Sequence, residues 1–260
     1  MVLMQKHRSE VLHFLPSSED GLVNERKLSA PLMLLALALG RIDASCRPDP
    51  EYPEGVVRSV YFDSPRFDSY EEKANGDFLK AKMRIRWYGG AGEDGDAPVP
   101  VFIESKARIG AARRKFRIRA SAPGAWLSST PLSSREWLDF ARAAVSRSPA
   151  SDDGELPPVL ANVAWTPTIR ISYSRRRYVC PYTGSRVSID WDIVADRVNS
   201  AAMPCADAFA RIDSVVCEYK TADAAAEPPP WIEQLYAAGF RQAGFSKYGA
   251  AMRMLLADAR

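Results

Sequence analysis

From Phe78 to Tyr88 the chain alternates. Lys80, Lys82, Arg84 and Arg86 take every second position, and Leu79, Ala81, Met83, Ile85 and Trp87 fill the places between. A period of two predicts a β-strand with one cationic face and one apolar face. Four like charges stacked along a strand repel one another, so that face needs either bulk water or a bound polyanion. We read it as a polyanion face.

The same pattern recurs on both sides. Asn24–Lys27 predicts a short strand with Glu25 and Lys27 in phase, and Val56–Asp63 a strand rich in Val and aromatics. Val101–Arg108 carries Glu104, Lys106 and Arg108 on one face. Arg113–Arg119 puts Arg113, Lys115, Arg117 and Arg119 together, with Arg114, Phe116 and Ile118 opposite. Thr168–Val179 and Arg186–Val194 flank the turn Pro181–Gly184 as a hairpin, and Val215–Lys220 brings Glu218 and Lys220 into phase.

Helical patterns fall outside these strands. Ser29 as N-cap and Pro31 in the first turn predict a helix over residues 31–39 that stops near Gly40. Further helices are expected at Phe67–Asn75, as one or two within residues 126–144, over residues 231–240, and after Phe245–Tyr248. Residues 146–158, SRSPASDDGELPP, read as a linker. There is no internal repeat, and the division expected is a lead-in at residues 1–21 followed by one domain over residues 22–260.

About eight strands with one charged and one apolar face each can satisfy both faces in only a few ways. The expected fold is α+β: a closed antiparallel β-barrel with charges inside and helices packed outside. A solvated outer sheet surface, with ion pairs contributing about 0–1 kcal/mol each, is the plain alternative for any single strand. The barrel interior would gather Lys27, Lys80, Lys82, Arg84, Arg86, Lys106, Lys115, Arg186 and Lys220 with Glu25, Glu104, Asp190, Asp192 and Glu218. Such an interior must be wet or filled by ligand, because an unpaired buried charge is very costly. Arg and Lys in excess select phosphate oxygens.

Net charge is only +3, so the basic faces are local and a general nucleic-acid binder is not implied. The four cysteines show no CxxC spacing and only two histidines accompany them, which argues against zinc and for free thiols. Carboxylates without His or Cys point instead to Mg²⁺ or Mn²⁺. There is no P-loop, so side chains would have to hold the phosphates. The polar start has no secretory apolar stretch, and the longest apolar run falls short of the roughly 20 residues that span a bilayer. A cytoplasmic chain is expected, with any membrane attachment made through a membrane-protein partner.

These pieces, in this order, resemble a known family. NERK at 24–27, RSVYFDSP at 58–65, KMRIRWYGG at 82–90, VFIESK at 101–106, YSR at 173–175, RVSID at 186–190, CEYK at 217–220 and FSKY at 245–248 are similar to the VTC domain. That is the polyphosphate polymerase module of the triphosphate tunnel metalloenzyme superfamily, and the resemblance covers about residues 22–256. It implies a closed barrel around a basic triphosphate tunnel. It also implies that Lys27, Arg84, Arg86, Lys106, Lys115, Arg175, Arg186 and Lys247 hold the triphosphate and the growing chain. Tyr173 and Ser246 resemble hydroxyls that contact phosphate, and Glu218 resembles a glutamate holding Mn²⁺ or Mg²⁺. Lys82, Glu104 and Lys220 join the substrate-binding set through their shared faces.

The implied reaction is transfer of the γ-phosphate of ATP to the end of a polyphosphate chain. A metal-dependent triphosphate or nucleoside triphosphate hydrolase and a non-catalytic polyphosphate or nucleotide sensor are the other readings. No SPX domain precedes the module and no transmembrane segment follows it, which reads as a stand-alone, bacterial-type member. Trp87, Tyr61 and Phe62 are expected in the core, while Trp87 or Tyr88 could stack on adenine. Asp190 and Asp192 are expected either at the metal or paired with tunnel bases. The parity of Tyr173 and Arg175 excludes Arg170 and Arg176, so a bulge or an outward orientation is expected there. Ser246 has a helix-capping alternative.

Overall fold

In a computed structural model the alternating stretch is indeed a strand, β4 (Leu79–Tyr88). The structure describes residues 24–74, 79–89, 95–109, 112–147, 165–203, 209–221 and 227–257. The expected lead-in at 1–21, Cys205 and all of the expected linker at 146–158 but its first two residues lie outside these, and Ser146 ends a helix. The strands are β1 (Asn24–Pro31), β2 (Arg47–Pro48), β3 (Glu54–Asp63), β4, β5 (Pro98–Ile109), β6 (Ala112–Pro123), β7 (Thr166–Val179), β8 (Arg186–Val198), β9 (Ala210–Ile212), β10 (Ser214–Thr221) and β11 (Arg241–Gln242). Eight of these are long, as the periodicity predicts, and β2, β9 and β11 are too short to carry a readable period.

All pairings are antiparallel, and the path runs β11-β1-β10-β8-β7-β3-β4-β5-β6, with β2 on β7 and β9 on β8. The expected closed ring is therefore met only in part. Among the described residues no backbone pairing joins β6 back to β11 or β1, so the sheet keeps two edges. It nevertheless curls strongly. Lys106 on β5 lies within electrostatic range of Glu25 and Lys27 on β1 and of Lys220 on β10, which stand near the other end of the path.

Helices cover the outer apolar faces. α1 (Leu35–Asp43) and α5 (Pro230–Ala237) place Ala38, Ile42, Trp231, Ile232 and Leu235 over Leu28, Val187, Ile189, Val215 and Tyr219. α3 (Gly124–Ser129) and α4 (Glu136–Ser146) cover Met83, Ile85, Trp87, Val101 and Ile103 with Leu127, Trp137 and Ala141. Trp87 is core, as its parity predicts, and stacks on Trp137 at 6.3 Å between ring centroids. Fully burying a side chain of this kind contributes about 1.5–3 kcal/mol.

The N-terminal helix begins later than its capping signal predicts. Ser29–Pro31 continue β1 because they pair with Ser214–Val216, a 3₁₀ turn occupies Leu32–Leu34, and α1 passes through Gly40 to Asp43. Ladder pairing outweighs the local cap preference here.

α6 (Lys247–Ala257) differs from the other helices. It packs Tyr248, Ala251, Met252 and Leu255 against the inward-facing Val57, Tyr61, Tyr173 and Val216, and so floors the interior. Its approach is fixed at Asp63, which is fully buried. Asp63 accepts hydrogen bonds from the backbone N–H groups of Ser64, Ser69 and Tyr70 and from the Tyr248 hydroxyl at 2.6 Å. That carboxylate ties the end of β3 to α2 (Asp68–Ala74) and to α6.

Candidate functional site

The register places the predicted bases on one concave face. On the β1–β10–β8–β7 wall the ladder sets Lys27 opposite Glu218, Glu25 opposite Lys220 and Arg175 opposite Asp190. Lys27 Nζ lies 3.0 Å from Glu25 Oε1 and 3.2 Å from Glu218 Oε1. Arg175 grips Asp190 with two parallel hydrogen bonds, Nη2 to Oδ2 at 2.6 Å, and reaches Glu218 at 3.5 Å. Lys247, at the start of α6, donates to Asp190 Oδ2 at 2.6 Å and lies 4.6 Å from the Tyr173 ring centroid. Burial works against charge on Glu218, but Arg175, Lys247, Lys27 and Lys220 hold its carboxyl well below the usual range. Lys27 is raised in return: burial opposes its charge, and Glu218 and Glu25 prevail.

The facing wall has one acid for several bases. Arg84 Nε donates to Glu104 Oε2 at 2.6 Å, Arg117 approaches Glu104 Oε1 at 3.3 Å, and Arg86 Nη1 is 3.9 Å away. Arg86, itself buried, donates to Ser59 Oγ at 3.0 Å. Burial would raise Glu104, yet Arg84 and Arg86 pull it down to about 2. Lys82 stands opposite Lys106 in the ladder, a like-charge pair. Lys106 is exposed to solvent but its ammonium is pushed down to about 8, by burial first and then by Arg84.

Several predicted residues sit differently. Arg186 opposes Lys220 at the ladder's end and is exposed. Lys115 opposes Lys106 along the backbone, but its side chain lies outside the described residues. Ser246 Oγ accepts the Gly249 N–H at 3.2 Å, the helix-cap geometry of its plainer alternative. Asp190 pairs with tunnel bases, whereas Asp192 has a positive φ of 50° and meets Arg211 at the surface. A register shift between Ser172 and Ser174 marks the expected bulge, and Arg170 and Arg176 pair elsewhere, with Asp196 and Glu54. Cys46, Cys180 and Cys217 are free and buried, as expected.

Tyr61 is core, as the sequence predicts, and it also reaches the site. Its ring stacks on Tyr248 at 5.2 Å, but its hydroxyl accepts from Arg84 Nη1 at 3.3 Å. Burial would raise the phenol, while Arg84 and Arg86 bring it down to about 8. The signal was present in the parity that Tyr61 shares with Ser59. Asp63 gave none, since its partners are assembled by the fold.

Among the described residues no three of His, Cys, Asp and Glu form a ready cage for a metal. Glu218 and Glu25, already sharing one cation, nevertheless offer oxygen donors of the kind that suits Mg²⁺ or Mn²⁺. Such an ion is usually held by one or two carboxylates, with water and substrate phosphates completing its shell. No helix of the described residues is long and apolar enough to cross a membrane.

The family model described as VTC domain matches residues 9–256. No curated protein matches the chain. Among solved structures it is similar to a candidate adenylate cyclase from Bacillus halodurans, at 12% identity over 85% of this chain and 92% of that one, with a TM-score of 0.48. It is also similar to the candidate adenylyl cyclase HpAC1 from Hippeastrum, named for a dominant triphosphatase activity. The identity there is 14% over 89% and 95% of the two chains, with a TM-score of 0.42.

Proposed function

Because the chain belongs to the VTC domain family, we propose that it is an ATP-dependent polyphosphate polymerase working inside a basic tunnel. The family supports an enzyme acting on triphosphates, with divalent-metal dependence. The observation that carries the finer reading is the pair of unlike walls. One interleaves Glu25, Glu218 and Asp190 with cations, and the other gathers Arg84, Arg86 and Arg117 around Glu104.

Arg84, Arg86 and Lys106 supply the charge that a triphosphate and a growing chain need, and Lys27, Lys247 and Arg175 complete the lining. Lys115, Arg186, Lys82, Lys220, Tyr173 and Ser246 belong to the same proposed set. Transfer of this kind depends mainly on positioning and on charge complementary to the equatorial oxygens. An oxygen of the chain's terminal phosphate attacks the γ-phosphorus of ATP. The bond from that phosphorus to the β–γ bridging oxygen breaks, and ADP leaves with the electron pair. Glu218, with Glu25 beside it, would hold Mg²⁺ or Mn²⁺, which supplies charge neutralisation on the phosphates. Asp190 and Glu104 act at one remove by fixing Arg175, Lys247 and Arg84.

The test is incubation with ATP and Mn²⁺, followed by gel analysis for chains and by assay of free phosphate. Chains of many units support the polymerase. Phosphate without chains would show hydrolysis instead, and bound but unconsumed ATP would show a sensor. Glu218→Gln is expected to lose at least a hundredfold in metal-dependent turnover; because Glu218 also pairs with Lys27 and Arg175, turnover is compared at a temperature where a thermal melt shows the variant folded. Full activity in that variant would sink the metal assignment.

A further inference from the structure

One end of the tunnel is lined by something phosphates do not need. Tyr88 and Phe102 lie on the same strand faces as Arg86 and Glu104, at the end of β3–β4 pairing remote from the Tyr61–Tyr248 floor. The two rings meet edge to face at 5.9 Å. The Arg117 guanidinium lies 4.0 Å from the Phe102 ring centroid, and that of Arg177 lies 5.1 Å from Tyr88. Both arginines are anchored from behind, Arg117 on Glu104 at 3.3 Å and Arg177 on the Tyr52 carbonyl at 3.2 Å. Tyr88 is nevertheless 37% exposed, unlike its neighbour Trp87 at 1%.

We propose that this rim of Tyr88, Phe102, Arg117 and Arg177 seats the base of a nucleoside triphosphate. The inference rests on the triphosphate reading above and adds a direction to it. A phosphate chain has no planar face, so aromatic rings on a cationic wall give it nothing. A nucleobase gains from stacking on both rings and guanidinium planes.

The spacing also fits. Arg177 and Arg175 are two residues apart on one face of β7, as are Phe102 and Glu104 on β5. Two residues of strand rise about 7 Å, which leaves room for a ribose between a base at the rim and phosphates at Arg175 and Arg84. The nucleotide therefore enters base outward, with its γ-phosphate toward the floor.

The experiment compares ATP with inorganic tripolyphosphate by titration calorimetry in Mg²⁺, using the full chain. In Tyr88→Ala/Phe102→Ala, ATP affinity is expected to fall about tenfold or more while tripolyphosphate affinity stays within twofold. Tyr88→Leu/Phe102→Leu keeps apolar bulk without the π faces and is expected to show the same split, which separates loss of stacking from loss of folding. Unchanged ATP affinity in both variants overturns the proposal. Equal weakening of the two ligands overturns it as well, because the rim would then serve phosphate. A wild-type protein that binds neither ligand overturns the triphosphate reading along with this one.

Discussion

The two walls of the interior solve the same electrostatic problem in opposite ways. On the β1–β10–β8–β7 side, Glu25, Glu218 and Asp190 interleave with Lys27, Arg175 and Lys247. Asp190 is completely buried between two cations. On the β4–β5–β6 side, Glu104 is the one carboxylate among the described residues that serves Arg84, Arg86 and Arg117. The first wall is internally neutralised and depends on its own partners. Among the described residues the second carries surplus charge, since three arginines share one carboxylate and Lys82 faces Lys106 across the ladder. A neutralised wall holds shape, whereas a wall with surplus charge waits for a ligand. Buried pairs are costly to break because the partner is stranded.

That contrast breaks most visibly at Asp190. Replacing it by Ala strands Arg175 and Lys247, and a loss of about 3–5 kcal/mol in unfolding free energy is expected in urea titration. If Asp190→Ala were as stable as the parent, the first wall would not be held by its pairing. Arg84→Ala should behave in the reverse manner. Glu104 keeps Arg86 and Arg117, so folding is expected to survive, while tripolyphosphate affinity falls about tenfold, close to 1.4 kcal/mol. Calorimetry beside a thermal melt reads both, and a variant that unfolds yet still binds would reverse the roles given to the walls.

The smallest expected effect is a pH dependence of binding. Lys106 loses its positive charge as pH rises through about 8, and Tyr61 gains a negative one over the same range. Both changes disfavour a polyanion, so tripolyphosphate affinity should decline by several-fold from pH 7 to pH 9. Lys106→Arg, charged throughout, should flatten part of that slope. The same groups act on folding with the opposite sign. The unfolded chain binds more protons between about pH 8 and the ordinary values near 10, so stability rises with pH there.

Much of this was legible in the sequence because a strand's period of two is rigid. Arg84 and Arg86 had to share a face, and Trp87 had to oppose them. The eight long strands and the outer helices followed from the same rule. What escaped depends on partners distant in the chain. Asp63 looks like a turn residue before Ser64-Pro65 until Tyr248 arrives from 185 positions away. Asp192 shares parity with Asp190, yet its positive φ turns it outward. Ser29 reads as a cap until β10 claims its backbone. Closure could not be read at all, since no single strand records whether the first meets the last.

Among the described residues no strand pairs with the outer edge of β6, and that edge has a consequence beyond the candidate site. An unpaired strand edge is a template on which a second copy can add its own strand. On β6 that edge belongs to a segment with Arg113, Arg114, Lys115, Arg117 and Arg119 in seven consecutive positions. Another copy docking edge to edge would bring the same run of positive charge against it. A run of charge that includes Lys115, read first as a ligand for phosphate, would thereby also disfavour self-association, and neutralising it would be expected to cost solubility before it cost folding.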